Sequence, residues 1–169
     1  MTLRPPEGMS LRPALPRDAA ELAGLFRASI EELAEDDYSA AQRAAWAAAA
    51  DDLPRFAARF AAGATLLAVA RGRIAGFVTL KGNETVDLLY THPGFARQGV
   101  ATFLCSAAET LAQGRKSAHV SVDASDTAQF FFAKRGYVPV QRNTVNIGDE
   151  WLANTSMRKE LAAAEGGVQ

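Results

Sequence analysis

Apolar positions recur at helical spacing in some stretches and gather into strand-like blocks in others. Met9 to Pro13 reads as a short strand. Arg17-Asp18 opens a helix to about Ala34, with Leu22, Leu25, Phe26, Ile30 and Leu33 on one face. Ser39-Ala40-Ala41-Gln42 is a capping box, serine first and glutamine three residues on, and starts a second helix through Trp46. Asp51-Asp52-Leu53-Pro54 starts a third, which stops at Gly63. Three strand-like runs follow: Thr65 to Ala70, Ile74 to Leu80 and Thr85 to Thr91. Tight turns at Arg71-Gly72-Arg73 and Gly82-Asn83 make them an antiparallel meander. A helix then runs from about Gly99 to Gln113, a strand from Ala118 to Val122 and a short helix from Asp126 to Arg135. Tyr137 to Ile147 and Trp151 to Lys159 are two last strands, joined through Gly148-Asp149. This order predicts an α+β domain with helices packed on a sheet.

The chain has 169 residues, 49% hydrophobic and 22% charged, which suits one globular domain with a sizeable core. That domain is expected over residues 9–159, between a Pro-rich, loose N-terminus (1–8) and a tail (160–169) rich in Ala and Gly. The net charge of −1 disfavours nucleic acid as a partner. Cys105, the single cysteine, has no partner for an internal disulfide. No apolar run follows the first six residues, and no stretch of ~18 apolar residues is present. The expectation is a cytoplasmic protein without a membrane partner.

The most informative segment is Val86 to Ala101, where a strand enters a short loop that leads directly into a helix. A helix N-terminus leaves about four backbone N–H groups unpaired and carries roughly half a positive charge. With Gly99 and the small Ala101 at that point, a phosphate group can approach closely. An ordinary strand-to-helix turn has the same outline.

Pro93-Gly94-Phe95-Ala96-Arg97-Gln98-Gly99-Val100-Ala101 resembles the pyrophosphate loop of the GNAT acyltransferase superfamily, Gln/Arg-x-x-Gly-x-Gly/Ala. Ala96 departs from it, standing where Gln or Arg is usual. Ser125-Asp126-Thr127-Ala128-Gln129-Phe130-Phe131-Phe132-Ala133-Lys134-Arg135-Gly136-Tyr137 resembles the family's second motif, Asn-x-x-Ala-x-x-Phe-Tyr-x-x-x-Gly-Phe. It departs at Ser125, where Asn is common, and at Phe132, where many members have a tyrosine that protonates the departing thiolate. Asp37-Tyr38-Ser39-Ala40-Ala41-Gln42-Arg43-Ala44-Ala45-Trp46 is similar to a stretch of the YafP-like branch. The resemblance covers about residues 10–159.

The resemblance implies a mixed, mostly antiparallel sheet of six to seven strands flanked by helices, with acetyl-CoA as co-substrate and no metal. Gln98, Gly99, Val100, Ala101 and Thr102 would then surround the pyrophosphate, with Arg97 beside it. Phe131 or Phe132 would lie against the pantetheine arm, while at least one of the three phenylalanines packs in the core. Lys134 and Arg135 would meet the 3′-phosphate. A backbone N–H within Leu89, Tyr90 and Thr91 would hold the thioester oxygen, on a strand that splays from its neighbour. Members of the family often form homodimers.

An amine attacks a thioester only when neutral. A lysine-like amine of pKa ~10.4 must lose a proton at a cost of ~4.6 kcal/mol at pH 7. Asp87, two residues before Leu89, is the candidate base; Tyr90 and Ser125 are the candidate acids. Tyr38 and Trp46 are candidate walls for a small-molecule or peptide amine, though helix packing alone explains such rings. His92 and His119 form no metal-ligand cluster, and Cys105 reads as a buried small residue. Two rival readings remain open at this point. One is a non-catalytic acetyl-CoA sensor, favoured by Phe132; the other is a nucleotide-phosphate binder using the same loop.

Overall fold

The computed structural model describes residues 4–162; residues 1–3 of the expected loose N-terminus and the tail from 163 onward lie outside the described residues. Seven strands form one sheet in the order β1-β2-β3-β4-β5-β7-β6. β1 (Met9–Pro13), β2 (Ala64–Ala70), β3 (Arg73–Lys81) and β4 (Thr85–Thr91) pair in succession, all antiparallel. β5 (His119–Ser125) joins β4 in parallel, and β7 (Glu150–Glu160) lies between β5 and β6 (Val138–Ile147), antiparallel to both. A parallel pair needs a crossover. Here it is α4 (Val100–Gly114), while α1 (Ala19–Leu33), α2 (Ala40–Ala47) and α3 (Leu53–Ala61) connect β1 to β2.

The helices divide between the two faces of the sheet. Phe77 and Val78, successive residues of β3, point to opposite sides: Phe77 joins Phe26, Ile30 and Phe56 under α1 and α3, and Val78 joins Leu104 and Ala108 under α4. The capping box forms as expected: the Gln42 N–H donates to Ser39 Oγ at 3.1 Å, and the Ser39 N–H donates to the Gln42 side-chain oxygen at 2.9 Å. Asp52 caps α3 by accepting from the Arg55 N–H.

Two boundaries differ from expectation by three residues, both because of tertiary contacts. β5 continues to Ser125, because every residue from His119 to Ser125 pairs with β7. α5 (Gln129–Lys134) starts three residues later than Asp126, because Ser125 accepts the Ala128 N–H in a turn and the Asp126 N–H donates to the Tyr38 hydroxyl.

Two features shape the centre of the sheet. In β4, Val86 pairs with Leu80 and Leu88 with Thr79, so Asp87 is an extra residue in a bulge. β4 and β5 pair only at Thr85–Ser121 and Val86–Val122, and past Val86 they part. Close to the parting, α4 lies hard against β3. A Cβ on Gly76 would stand 2.7 Å from Val100 Cγ1 and 2.8 Å from the Tyr90 carbonyl oxygen, so only glycine fits under the first turn of α4.

Behind α4, Glu109 accepts from the Tyr137 hydroxyl at 2.8 Å, Arg135 at 2.7 Å and Lys159 at 3.3 Å, tying the α5–β6 corner and β7 to the helix. Burial opposes ionisation of Glu109, but Tyr137 and Arg135 outweigh it and hold its pKa below the ordinary value. Because the folded pKa is depressed, this stabilisation is present above the unfolded value and is lost as pH falls through the folded one. Glu109→Ala is expected to cost about 2 kcal/mol in urea unfolding at pH 7, since it leaves the buried Tyr137 hydroxyl and the half-buried Arg135 and Lys159 without their acceptor. The gap between variant and wild type should narrow below pH 4.5, the ordinary glutamate value.

Candidate active site where the central strands part

The parting of β4 from β5 opens a cavity of about 680 Å³. It runs from the N-terminus of α4, through the split, to the side where α1, α2 and the β6–β7 hairpin meet. Of the sequence-predicted site residues, only Gln98, Lys134 and Arg135 lie off its wall.

At one end is the loop before α4. Arg97 (φ 62°) and Gly99 (φ 84°) are both left-handed, which folds the loop back on itself and starts the helix at Val100. The first bond of the helix from outside it is Phe103 N–H to the Gly99 carbonyl. Among the described residues, the N–H groups of Val100, Ala101 and Thr102 have no acceptor. They line the cavity with Arg97 and Gly99, so donors and the positive end of the helix dipole face the open space. A Cβ on Gly99 would make only an ordinary 3.5 Å contact with Pro6, so the constraint at Gly99 is its backbone angle.

In the split, the His92 N–H donates to the Ala75 carbonyl on β3. Strand alternation then turns the backbone of Tyr90 toward β3 and that of Thr91 and Leu89 toward the gap left by β5. The expected donor within residues 89–91 is thereby narrowed to Leu89 or Thr91. Across the gap stand Ser125, Thr127, Ala128 and Phe131. The Ser125 hydroxyl accepts the Ala128 N–H at 3.2 Å and shapes the turn into α5.

The three phenylalanines separate clearly. Phe130 is 75% exposed, Phe131 lines the cavity, and Phe132 is 2% exposed, packed between Phe131 and Tyr137. Phe132 is therefore mainly a core residue that only edges the cavity. Arg135 is not available to a phosphate as the sequence suggested: it is held by Glu109 and Ser106 and lies over the Phe131 ring. Lys134 is exposed and sits over Phe130, away from the cavity. Gln98 is exposed, its side chain donating to the Gly94 carbonyl.

At the other end, Tyr90 projects to the α1 side, edge-on to Phe26 at 4.7 Å and to Trp46 at 6.3 Å. Burial pushes its phenol up to about 12. A thiolate of ordinary pKa ~8.5 would draw a proton from it only with difficulty, so Tyr90 is placed as a hydrogen-bond donor more than as an acid. Tyr38 is 6% exposed, and its hydroxyl is committed: it donates to the Ala153 carbonyl at 2.7 Å and accepts from the Asp126 N–H at 2.8 Å. It pins the α1–α2 connection, β7 and the β5–α5 turn together, and its ring meets Trp46 at 5.4 Å.

Asp87 points from the bulge into the cavity. Both its oxygens are held by Arg59 of α3, at 3.1 and 3.3 Å. Sequence reading missed Arg59, which lies 28 residues away with no local signal. It also missed the hairpin residues Val145, Ile147, Leu152 and Asn154, which close the cavity from the far end of the chain.

Cys105 is fully buried, and burial followed by Glu109 pushes its thiol up to about 12, in keeping with an inert core residue. His92 caps the turn at Gly94, and His119 lies on β5 beside Glu84. Among the described residues no group of three or more His, Cys, Asp and Glu could hold a metal, and no helix is long and apolar enough to cross a membrane.

Residues 34–161 match the family model of the acetyltransferase (GNAT) domain. The chain is 27% identical over 150 residues to the uncharacterized N-acetyltransferase YafP of Escherichia coli K12, covering 89% of this chain and 95% of that protein. A crystal structure of a GCN5-related N-acetyltransferase from Rhodopseudomonas palustris is 52% identical, with a TM-score of 0.90 over 95% of this chain and 99% of that one. The PaiA N-acetyltransferase of Thermoplasma acidophilum, solved with coenzyme A, has the same fold at 16% identity, with a TM-score of 0.73 over 90% of this chain and 99% of that one. The split sheet, the loop before α4 and these matches agree: the chain belongs to the GNAT acetyltransferase family.

Proposed function

We propose that the protein moves an acetyl group from acetyl-CoA directly to the nitrogen of a primary amine held where β4 and β5 part. The observation that carries this reading is the row of free N–H groups at Val100, Ala101 and Thr102, opening onto the same cavity as the unpaired edge of β4. The pyrophosphate binds at the α4 N-terminus beside Arg97. The pantetheine amides replace β5 as partners of Leu89 and Thr91, with Phe131 along the arm. One of those two N–H groups also takes the thioester oxygen as it becomes an oxyanion.

The acceptor enters from the Trp46 side and must be neutral to attack. Asp87, held by Arg59, takes its proton as the C–N bond forms. The C–S bond then breaks, and CoA leaves as a thiolate. The proton now on Asp87 balances that thiolate, so transfer does not depend on a phenol at position 132. Tyr90 donates a hydrogen bond beside the reacting centre.

Acetyl-CoA and CoA at ~100 times their Kd should each stabilise the protein by ~2.7 kcal/mol in a thermal shift, with ATP much weaker. An equal shift with ATP would favour a nucleotide site, and no shift with either CoA species would remove the cofactor assignment. Release of free thiol in the presence of amines separates transfer from acetyl-CoA sensing. Gly99→Ala strains the left-handed start of α4 by ~1–2 kcal/mol and should weaken CoA binding in calorimetry without unfolding the domain. Loss of the base in Asp87→Asn should lower kcat/KM by ~10²-fold or more between pH 6 and 8, and near-normal activity would exclude Asp87 as the base. In steady-state kinetics, Trp46→Ala should raise the KM of the acceptor more than that of acetyl-CoA.

A further inference from the structure

The acceptor half of the cavity has a composition that selects among amines. Its walls beyond Asp87 and Tyr90 are Ile30, Leu33, Trp46, Val145, Ile147 and Leu152, from α1, α2 and the β6–β7 hairpin. Leu33 is 37% and Val145 39% exposed, although Leu33 belongs to the apolar stripe of α1 and would be expected in the core. They are exposed because they face the cavity, and water is a poor neighbour for them.

Polar groups at this end are few, and most are already used. Tyr38 has its hydroxyl bonded on both sides. Asn154 accepts from Asn143. Asp87 carries its charge against Arg59. The remaining carboxylate on the cavity wall, Asp123, is exposed and accepts from Ser156. The carboxylates on the cavity wall are Asp87 and Asp123, and the stretch formed by Leu33, Trp46, Val145 and Ile147 carries no anion for a further ammonium group. Carrying one there means giving up its hydration without a partner.

The mouth is different. Glu31, Glu32, Glu35, Asp36 and Asp37 flank the cavity-lining Leu33 and Ala34 and are all exposed. Their field draws a cation toward the opening. They lie outside the apolar stretch, so they attract the charge without neutralising a second one within.

We propose that the acceptor is a monoamine carried on an apolar body of about ring size, with its amino group at Asp87 and its body against Leu33, Trp46 and the hairpin. Polyamines and polycationic sugars, which must lay further ammonium groups on that apolar stretch, bind more weakly. This rests on the acetyl-transfer reading above. The discriminating experiment is calorimetric titration of 2-phenylethylamine and of spermidine into the full chain saturated with CoA, which reports binding without turnover. The apolar amine should bind at least ~10-fold more tightly, on the scale that hydrophobic pockets achieve. Val145→Asp, on a partly exposed hairpin position, should weaken 2-phenylethylamine by ~10-fold while CoA binding stays unchanged. Spermidine binding equally or better would overturn the proposal, as would CoA binding with no uptake of either amine at millimolar concentration. Failure of CoA itself to bind would overturn the acetyl-transfer reading, and this inference with it.

Discussion

The parting of β4 from β5 after two residue pairs is the constraint on which the rest depends. A parallel neighbour forces a crossover, and the crossover helix must start near the point where β4 ends. That puts the free N–H groups of α4 next to the free edge of β4. Gly76 lets the first turn of α4 press against β3, so helix end and strand edge share one cavity. The polar groups that face the cavity there belong mainly to the backbone. This explains why departures from the family pattern at Ala96, Ser125 and Phe132 leave the cavity intact. Ser125 still closes its turn through a hydroxyl, and Phe132 belongs to the core.

The second half of the site is assembled from distant parts of the chain. The Tyr38 hydroxyl joins the α1–α2 connection to β7 and the β5–α5 turn with two short bonds. Arg59 of α3 grips Asp87 in the β4 bulge. The β6–β7 hairpin then closes the far wall. The bulge turns Asp87 inward at the point where the strands separate, so the candidate base and the candidate oxyanion donors come from five successive residues of one strand. Behind them, Glu109 anchors Arg135 and through it the Phe131 ring.

Local signals in the chain were enough for most of the fold. Helical spacing from Leu22 to Ile30, the capping box at Ser39 and the turn at Arg71-Gly72 each rest on contacts within a few residues, and each element forms where those contacts put it. The ends of β5 and α5 were less legible, because pairing with β7 and the Tyr38 hydroxyl set them. The end of the cavity at the α4 N-terminus was legible because it is one continuous loop and helix start. The engagement of Arg135 was not readable because charge alone does not reveal a partner, and its partner is Glu109, 26 residues back. At the other end of the cavity only Tyr38 and Trp46 were legible, because Arg59 and the hairpin walls are near Asp87 only in the folded chain.

Amide hydrogen exchange with and without acetyl-CoA tests the central claim most directly, because backbone N–H groups are the proposed ligands. Exchange should slow most at Val100, Ala101 and Thr102 and at Leu89 or Thr91, with little change along β1 and β6. Protection that spares both the α4 N-terminus and the free edge of β4, while acetyl-CoA binds, would contradict the account.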